Sequence, residues 1–520
     1  MLIFNCANRG NPSGGPRDTT PPVITRSSPD NFTTGFTSDE ITVYFDEYIK
    51  IKDLRKNLII SPPMDPEPLI TPLGSASKRI TIKILDTLRE NTTYAFNFGE
   101  SIVDNNEENP FPFYKYVLST GDYIDSLQVR GSIADALEKS AEEFVSVMLY
   151  EVDSSYTDSI VYKEKPDYIT NTLDSTSTFS LENLKAGTYR LIALKDGNNN
   201  FTFEQKVDKI GYVEEMISVP TTDSFNIELF KESTDFKAFK PRLAGHQKIA
   251  FGYDGSAEEM KIKLLSPVPD DFKSLITKDP KSDTLYYWFN PKLEIDSLLF
   301  EVKGPKTIDT FDVRFKDQLK DSLVVKQYRR NPVTFSDPFE LEGNLPLSGV
   351  DENFIRLINK DSMEVDFRAS IDSLNNRIRF DFEKKESENY NFRLLPGALS
   401  DLFGNSNDTL NYSIKTKALS DYGNLRLILR NGKFPLIVQL LDTADLVVVE
   451  KYVQDSEPVD FTNLNPGRYF IRVIYDSNQN GKYDPGSFLR KEKPERVSYF
   501  PEVIEVRASW NFIEEFTLQD

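Results

Sequence analysis

The chain has 520 residues, with 62 Lys and Arg against 82 Asp and Glu, a formal net charge of −20. That balance makes a nucleic-acid backbone a poor partner. A single His (His246) and a single Cys (Cys6) exclude an intrachain disulfide, a zinc site built on several histidines and a repeated Ser-His-Asp triad. Aromatic residues at 12% suffice for several packed cores, unlike a disordered acidic chain. No run of about 18 apolar residues marks a membrane-spanning helix.

The chain opens Met1-Leu2-Ile3-Phe4-Asn5-Cys6 and continues into Ala7-Asn8-Arg9-Gly10-Asn11-Pro12-Ser13-Gly14-Gly15-Pro16. The second stretch has the composition of a flexible coil. This opening resembles the end of a bacterial lipoprotein signal peptide. The resemblance implies that Cys6 is the lipidated first residue of the mature chain, with residues 1–20 as signal remnant and tether. The alternative is a frayed terminus with a chance cysteine.

Residues 21–121 read as one all-β unit between Pro21-Pro22 and Ser119-Thr120-Gly121. Ile41-Thr42-Val43-Tyr44-Phe45, Ile80-Thr81-Ile82-Lys83-Ile84 and Tyr94-Ala95-Phe96-Asn97-Phe98 alternate with period two, the pattern of half-buried strands. Strands recurring every 10 to 20 residues predict a sandwich. In residues 122–232, Val145, Val147 and Leu149 alternate, as do Tyr189, Leu191 and Ala193. Asp135 to Glu143 is the best helical stretch of the chain, short enough to be an excursion between strands. Residues 233–330 are a sandwich of weaker pattern, with Lys261–Leu265 and Ser297–Val302 strand-like. Residues 331–419 contain the alternating Arg377–Phe382, and residues 420–520 contain Leu425–Leu429 and Tyr469–Val473.

Internal repeats support these divisions. Asn183-Leu184-Lys185-Ala186-Gly187-Thr188-Tyr189 matches Asn463-Leu464-Asn465-Pro466-Gly467-Arg468-Tyr469. At the same offset of 280 residues, Asp196, Asn198, Asn200 and Glu204 match Asp476, Asn478, Asn480 and Asp484. More loosely, Tyr94 to Asp104 parallels Tyr390 to Asp401, and Thr120 parallels Thr416. The chain reads A-B-C-A′-B′.

With Pro21-Pro22, Pro29, Ile41–Asp46, Ser61-Pro62, Asn91–Tyr94, Asp104-Asn105-Asn106 and Ser119-Thr120-Gly121, residues 21–121 resemble the bacterial Ig-like domain of surface-layer proteins and of surface lipoproteins of the Bacteroidota. Residues 331–419 resemble it more faintly. Gly131-Ser132-Ile133 and the Asn-Leu-x-Ala/Pro-Gly-x-Tyr turn make residues 122–232 and 420–520 similar to transthyretin-like or carboxypeptidase-regulatory-like sandwiches. The expected fold is therefore all-β, with Ig-like and transthyretin-like sandwiches in series. Such motifs specify a fold far better than a function.

The loop from Asp476 carries Asp476, Asn478, Asn480 and Asp484 at positions 1, 3, 5 and 9. Gly481 stands at position 6, and Lys482 offers its carbonyl at position 7. This is calcium-loop spacing without the bidentate Glu at position 12, where Ser487 stands, so a weak calcium site is expected. The sister loop offers Asp196, Asn198, Asn200, Thr202 and Glu204, with Phe201 in place of the glycine. The alternative for both is a turn in which Asp and Asn bond their own backbone. His246 reads as a surface or strand-edge residue. Trp288 reads as a core residue, or alternatively as a stacking platform for sugars. Triplets such as Asp86-Thr87-Leu88, Asp125-Ser126-Leu127 and Asp372-Ser373-Leu374 are similar to the O-glycan acceptor of exported Bacteroidota proteins. A turn leading into a strand writes the same string.

Two functional expectations follow. The first is a non-enzymatic outer-membrane lipoprotein, anchored through Cys6, that serves as a scaffold or binding subunit of an envelope complex for assembly, transport or secretion. Its partners would be envelope proteins, among them an outer-membrane β-barrel. The second is a calcium-stabilised cell-surface glycan-binding or adhesion protein. An enzyme ranks third, because sandwiches in series rarely enclose the pocket that acid-base chemistry needs.

Overall fold

The computed structural model describes residues 18–172, 176–293, 295–314, 321–328, 335 and 337–519. Cys6, on which the lipid anchor rests, lies outside them. The fold is all-β, a tandem of sandwiches that each bury their own core. The chain divides into two compact units. One runs to Glu232 and includes Asp484–Arg496; the other comprises Ser233–Tyr483 and Val497–Asp520.

In the first unit, the first sandwich stacks the sheet Ile24–Ser28, Glu40–Ile51, Ser77–Lys83, Leu69–Thr71 against the sheet Ile59–Ser61, Thr93–Asn97, Lys115–Ser119. Successive strand side chains point to opposite faces. Ile41, Val43 and Phe45 therefore enter one core with Ile80, Ile82, Phe96 and Leu118. Each such side chain contributes about 1.5–3 kcal/mol of burial.

The second sandwich pairs Tyr168–Asn171, Ser146–Glu151, Gly187–Lys195 and Lys209–Tyr212 in one sheet, and Thr178–Leu184, Leu127–Asp135 and Ser224–Leu229 in the other. Val147–Tyr150 and Leu191–Leu194 are unbroken apolar runs because both faces of these strands are covered. Val147, Leu149, Leu191 and Ala193 face the sandwich core. Met148, Tyr150, Ile192 and Leu194 enter a second cluster with Ile59, Phe203, Ile210, Phe230 and Phe488.

The stretch Asp135 to Glu143 is not helical. The Asp135 carboxylate accepts the N–H groups of Leu137 and Glu138 at 2.9 and 2.7 Å. Side-chain bonding to the local backbone offers an alternative to the helix.

In the second unit, the third sandwich has its core at Ile249, Phe251, Tyr287, Phe289, Phe300 and Val302. The expected break near 330 lies too late in the chain. Val325–Gln327 pairs with Phe339–Gly343, and Val325 lies in the core of the fourth sandwich with Phe339, Phe380 and Phe392. The fifth sandwich repeats the second. Its sheets run Val447–Val453, Leu436–Leu441, Gly467–Tyr475, Val497–Tyr499 and Val459–Leu464, Gly423–Arg430, Asn511–Thr517. In both sandwiches the last strand joins its sheet parallel to the first. In both, a turn asparagine takes a positive φ, Asn183 at 60° and Asn463 at 57°. The tyrosine after it donates its hydroxyl hydrogen four residues back, Tyr189 to the Lys185 carbonyl at 3.1 Å and Tyr469 to the Asn465 carbonyl at 2.8 Å.

Candidate functional site

The duplicated Asp loops follow the long central strand of each repeat and share a backbone course. Asn199 and Phe201 have φ of 55° and 60°, and Gln479 and Gly481 have φ of 64° and 73°. The left-handed conformation comes readily to Gly481 and strains Phe201. In the second unit, Asp476 is buried. One of its carboxylate oxygens accepts from Asn480 N–H at 3.1 Å and the other from Gly481 N–H at 2.8 Å. The Asn478 and Asn480 side-chain oxygens accept from the N–H groups of Asn480 and Lys482, and Lys482 Nζ pairs with Glu258 at 3.1 Å. The oxygens thus stand at the expected turn, each bonded to local backbone. Asp484 belongs to the first unit, where its N–H donates to Glu495 Oε2 and its carbonyl accepts from Glu495 N–H.

In the sister loop, Asp196 accepts from the N–H groups of Asn198, Asn199 and Phe201. Asn198 and Asn200 aim their amide nitrogens at Glu204, at 3.0 and 2.8 Å, and Asn200 Oδ1 accepts from Thr202. Donors on Glu204 fit a cation poorly, so this loop suits calcium less well than the Asp476 loop. A residue that spacing did not single out completes the turn. Buried Asp208 accepts from Gly197 and Glu204 N–H. Burial, and then the neighbouring Asp196 and Glu204 charges, push its carboxyl above the ordinary range.

Three further carboxylates converge at Asp135, Glu138 and Glu142. Lys209 Nζ sits among them at 2.8, 3.1 and 2.8 Å, supplying the positive charge that a metal would otherwise bring. Burial alone would lower the Lys209 pKa, and the three carboxylates reverse that and raise it.

His246 occupies the turn between Arg242–Gly245 and Lys248–Asp254, its ring 6.1 Å from that of Phe403. Trp288 is 5% exposed. It packs with Leu345 and Leu402 and donates its indole N–H to Thr277 Oγ1 at 2.9 Å. The core reading of Trp288 holds, and a sugar platform at this residue does not.

The excursion Asp484–Arg496 is a site that sequence reasoning did not anticipate. Only 13 residues separate Gly187–Lys195 from Lys209–Tyr212, whereas 21 separate their counterparts Gly467–Tyr475 and Val497–Tyr499. The longer connection carries Phe488, which is fully buried with its ring edge-on to Tyr212 at 5.2 Å. Phe488 N–H donates to the buried carboxylate of Glu232, which also accepts from Gln205 Nε2 at 2.8 Å. Lys491 pairs with Asp158 at 2.6 Å, and Arg190 approaches the same carboxylate at 3.3 Å.

Residues 18–120 match the sequence model of the bacterial Ig-like domain. No curated protein matches the chain. Among solved structures, the chain is similar to the surface layer protein SbsC, domains 1–6, at 10% identity and a TM-score of 0.15, covering 93% of this chain and 67% of that one. It is similar to the Bacillus anthracis TIE protein at 9% identity and a TM-score of 0.14, covering 98% and 76%. It is also similar to the I9-I11 tandem of titin at 9% identity and a TM-score of 0.12, covering 54% and 100%. The chain spans about two thirds of the surface-layer chain's length. At these scores the likenesses carry no residue correspondence.

Proposed function

We propose that the chain is a non-catalytic cell-envelope protein whose tandem sandwiches serve as a scaffold or binding subunit of a protein complex. The observation that carries this reading is what the repeats preserve. Second and fifth sandwiches keep a positive-φ asparagine, a back-bonded tyrosine and a strand order. These features set geometry rather than reactivity, and they leave loops and strand edges as the working surface. The match of residues 18–120 to a bacterial Ig-like domain supports a place at the cell surface. The finer reading is an outer-membrane lipoprotein held through Cys6, with envelope proteins as partners, an outer-membrane β-barrel among them, and with calcium at the Asp476 loop. Crosslinking in intact cells followed by copurification tests it. Defined envelope partners support the scaffold. An uncrosslinked chain whose purified form turns over a glycan or peptide overturns it.

A further inference from the structure

Within the first unit, a cleft of about 600 Å³ opens where strands of the first and second sandwiches meet. Its walls include Asn97 and Lys115 from the first sandwich and Arg130, Thr178, Ser180 and Glu182 from the second. Clefts of this size between domains are common ligand sites. Polar side chains outnumber apolar ones along the walls.

Two observations set it apart from an ordinary crevice. The first is charge. In a chain of net −20, the charged side chains lining this cleft among the described residues are two cations and one carboxylate. Lys115 Nζ pairs with Glu182 at 2.6 Å. Arg130 acts on that same carboxylate and donates to Gln128 Oε1 at 3.0 Å. Glu182 pairs with Lys115 and Arg130 donates to the neutral Gln128, so the two cations exceed the one described carboxylate and leave the cleft with capacity for an incoming anion. The second is backbone strain. Phe113 in the lining has a φ of 60°, held by its N–H donating to the Gly99 carbonyl at 2.7 Å, and the residue is 50% exposed. A bulky residue in the left-handed region is an outlier, and strain of this kind gathers at binding sites. Here it holds a half-exposed aromatic residue in the lining that also carries Lys115 and Arg130.

We propose that this cleft binds a carboxylate-bearing oligosaccharide. Lys115 and Arg130 take the sugar acid, Asn97, Thr178 and Ser180 take ring hydroxyls, and Phe113 stacks on an apolar sugar face. The guanidinium of Arg130 suits a planar carboxylate. An acidic peptide is the competing occupant, and penta-glutamate in the titration below separates the two. The proposal stands apart from the scaffold reading, since it concerns a small ligand and one cleft.

The test is calorimetric titration of the purified full chain with tri-galacturonate and sialyllactose, and with maltotriose, penta-glutamate and inorganic phosphate as comparisons. The expected result is one-to-one binding of at least one acidic sugar, weakened by added salt and weakened about tenfold or more by Arg130→Ala or Lys115→Ala. Phe113→Ala should weaken it as well, and unchanged thermal unfolding of Arg130→Ala would show that the exposed substitution leaves the fold intact. The idea is overturned if neither acidic sugar binds at ~10 mM, a concentration that detects even weak complexes. Equal binding of maltotriose overturns it, as does binding of phosphate or penta-glutamate in place of the sugars. Undiminished affinity in both cation variants does the same.

Discussion

The hydroxyl of Thr120 donates to the backbone carbonyl of Arg89 at 2.7 Å and accepts the N–H of Thr92 at 2.9 Å. The fourth sandwich contains the same lock. Thr416 donates to the Lys385 carbonyl at 2.6 Å and accepts the N–H of Glu388 at 3.0 Å. Around each lock a tyrosine hydroxyl accepts a backbone N–H, Tyr94 from Arg89 and Tyr390 from Lys385. The first and fourth sandwiches therefore share a closing device at the entry to a central strand. Replacing Thr120 or Thr416 by Val keeps the shape and removes both bonds. Thr416 is buried, so Thr416→Val should destabilise its sandwich by about 1–3 kcal/mol, and Thr120→Val by less, because water reaches the exposed Arg89 carbonyl. Hydrogen exchange at the Thr92 or Glu388 amide checks this; unchanged protection would contradict the lock.

Much of this architecture is legible in the sequence, for a physical reason. Alternation in Ile41–Phe45 and Arg377–Phe382 reports burial on one strand face, and both stretches form strands. The Asn183 and Asn463 turns are legible because a local backbone need selects their residues. What escapes is what depends on distant partners. Asp135 to Glu143 has helix-forming composition, yet Asp135 bonds its own backbone and Lys209, far along the chain, gathers its carboxylates. The segment around Phe488 is rich in Arg, Lys and Glu and carries no strand alternation. Nothing near Phe488 in sequence announces Tyr212 and Glu232. The cleft beside Phe113 is equally silent, since its walls come from separate sandwiches.

A second prediction concerns acid. Asp104 is 2% exposed. Its carboxylate accepts from Asn106 and Glu107 N–H at 2.8 Å each, and from Asn109 N–H at 2.6 Å. Burial alone would raise its pKa, but these backbone donors outweigh it and hold the carboxyl below the ordinary range. A depressed folded pKa gives stability that is present above the unfolded value of about 3.9 and is lost as pH falls through the folded value. The first sandwich should therefore weaken as pH drops below about 4. Asp104→Asn should be less stable at neutral pH and flatter in this acid window. Parallel slopes for parent and variant, measured by denaturant unfolding across pH, would remove Asp104 as a cause.

The Asp484–Arg496 excursion yields a third. Phe488→Ala empties an aromatic site against Tyr212, a truncation that costs about 3–5 kcal/mol in a well-packed core. The excursion holds Arg490, Lys491 and Arg496 as three tryptic sites, since Pro494 blocks cleavage after Lys493. Limited trypsin digestion should cut the variant there well before the parent. Asp158→Asn, which weakens the grip on Lys491, should act in the same direction with smaller effect. Parent and Phe488→Ala digesting at the same rate in this segment would mean that the burial of Phe488 does not hold it.

The calcium expectation now has a sharper form, because the two sister loops differ at known atoms. In the Asp476 loop, Asp476, Asn478 and Asn480 present oxygens, and Gly481 takes the left-handed turn without strain. In the Asp196 loop, Asn198 and Asn200 turn amide nitrogens to Glu204 and Phe201 takes the same turn under strain. A ligand that binds only the folded state stabilises it by RT ln(1 + [L]/Kd), which for a site of about 10⁻⁴ M is near 1.4 kcal/mol at ~1 mM calcium. Melting must be followed on the full chain, since a fragment of residues 420–520 would carry Asp484–Arg496 without the first unit in which that segment packs. Calcium at millimolar concentration should raise the melting temperature relative to chelator by a few degrees at most. Asp476→Ala should abolish the rise, and Asp196→Ala should leave most of it. If Asp196→Ala abolishes the rise and Asp476→Ala does not, the donor orientations assign the loops the wrong way round; if calcium moves neither parent nor variant, both loops are turns that bond their own backbone and nothing more.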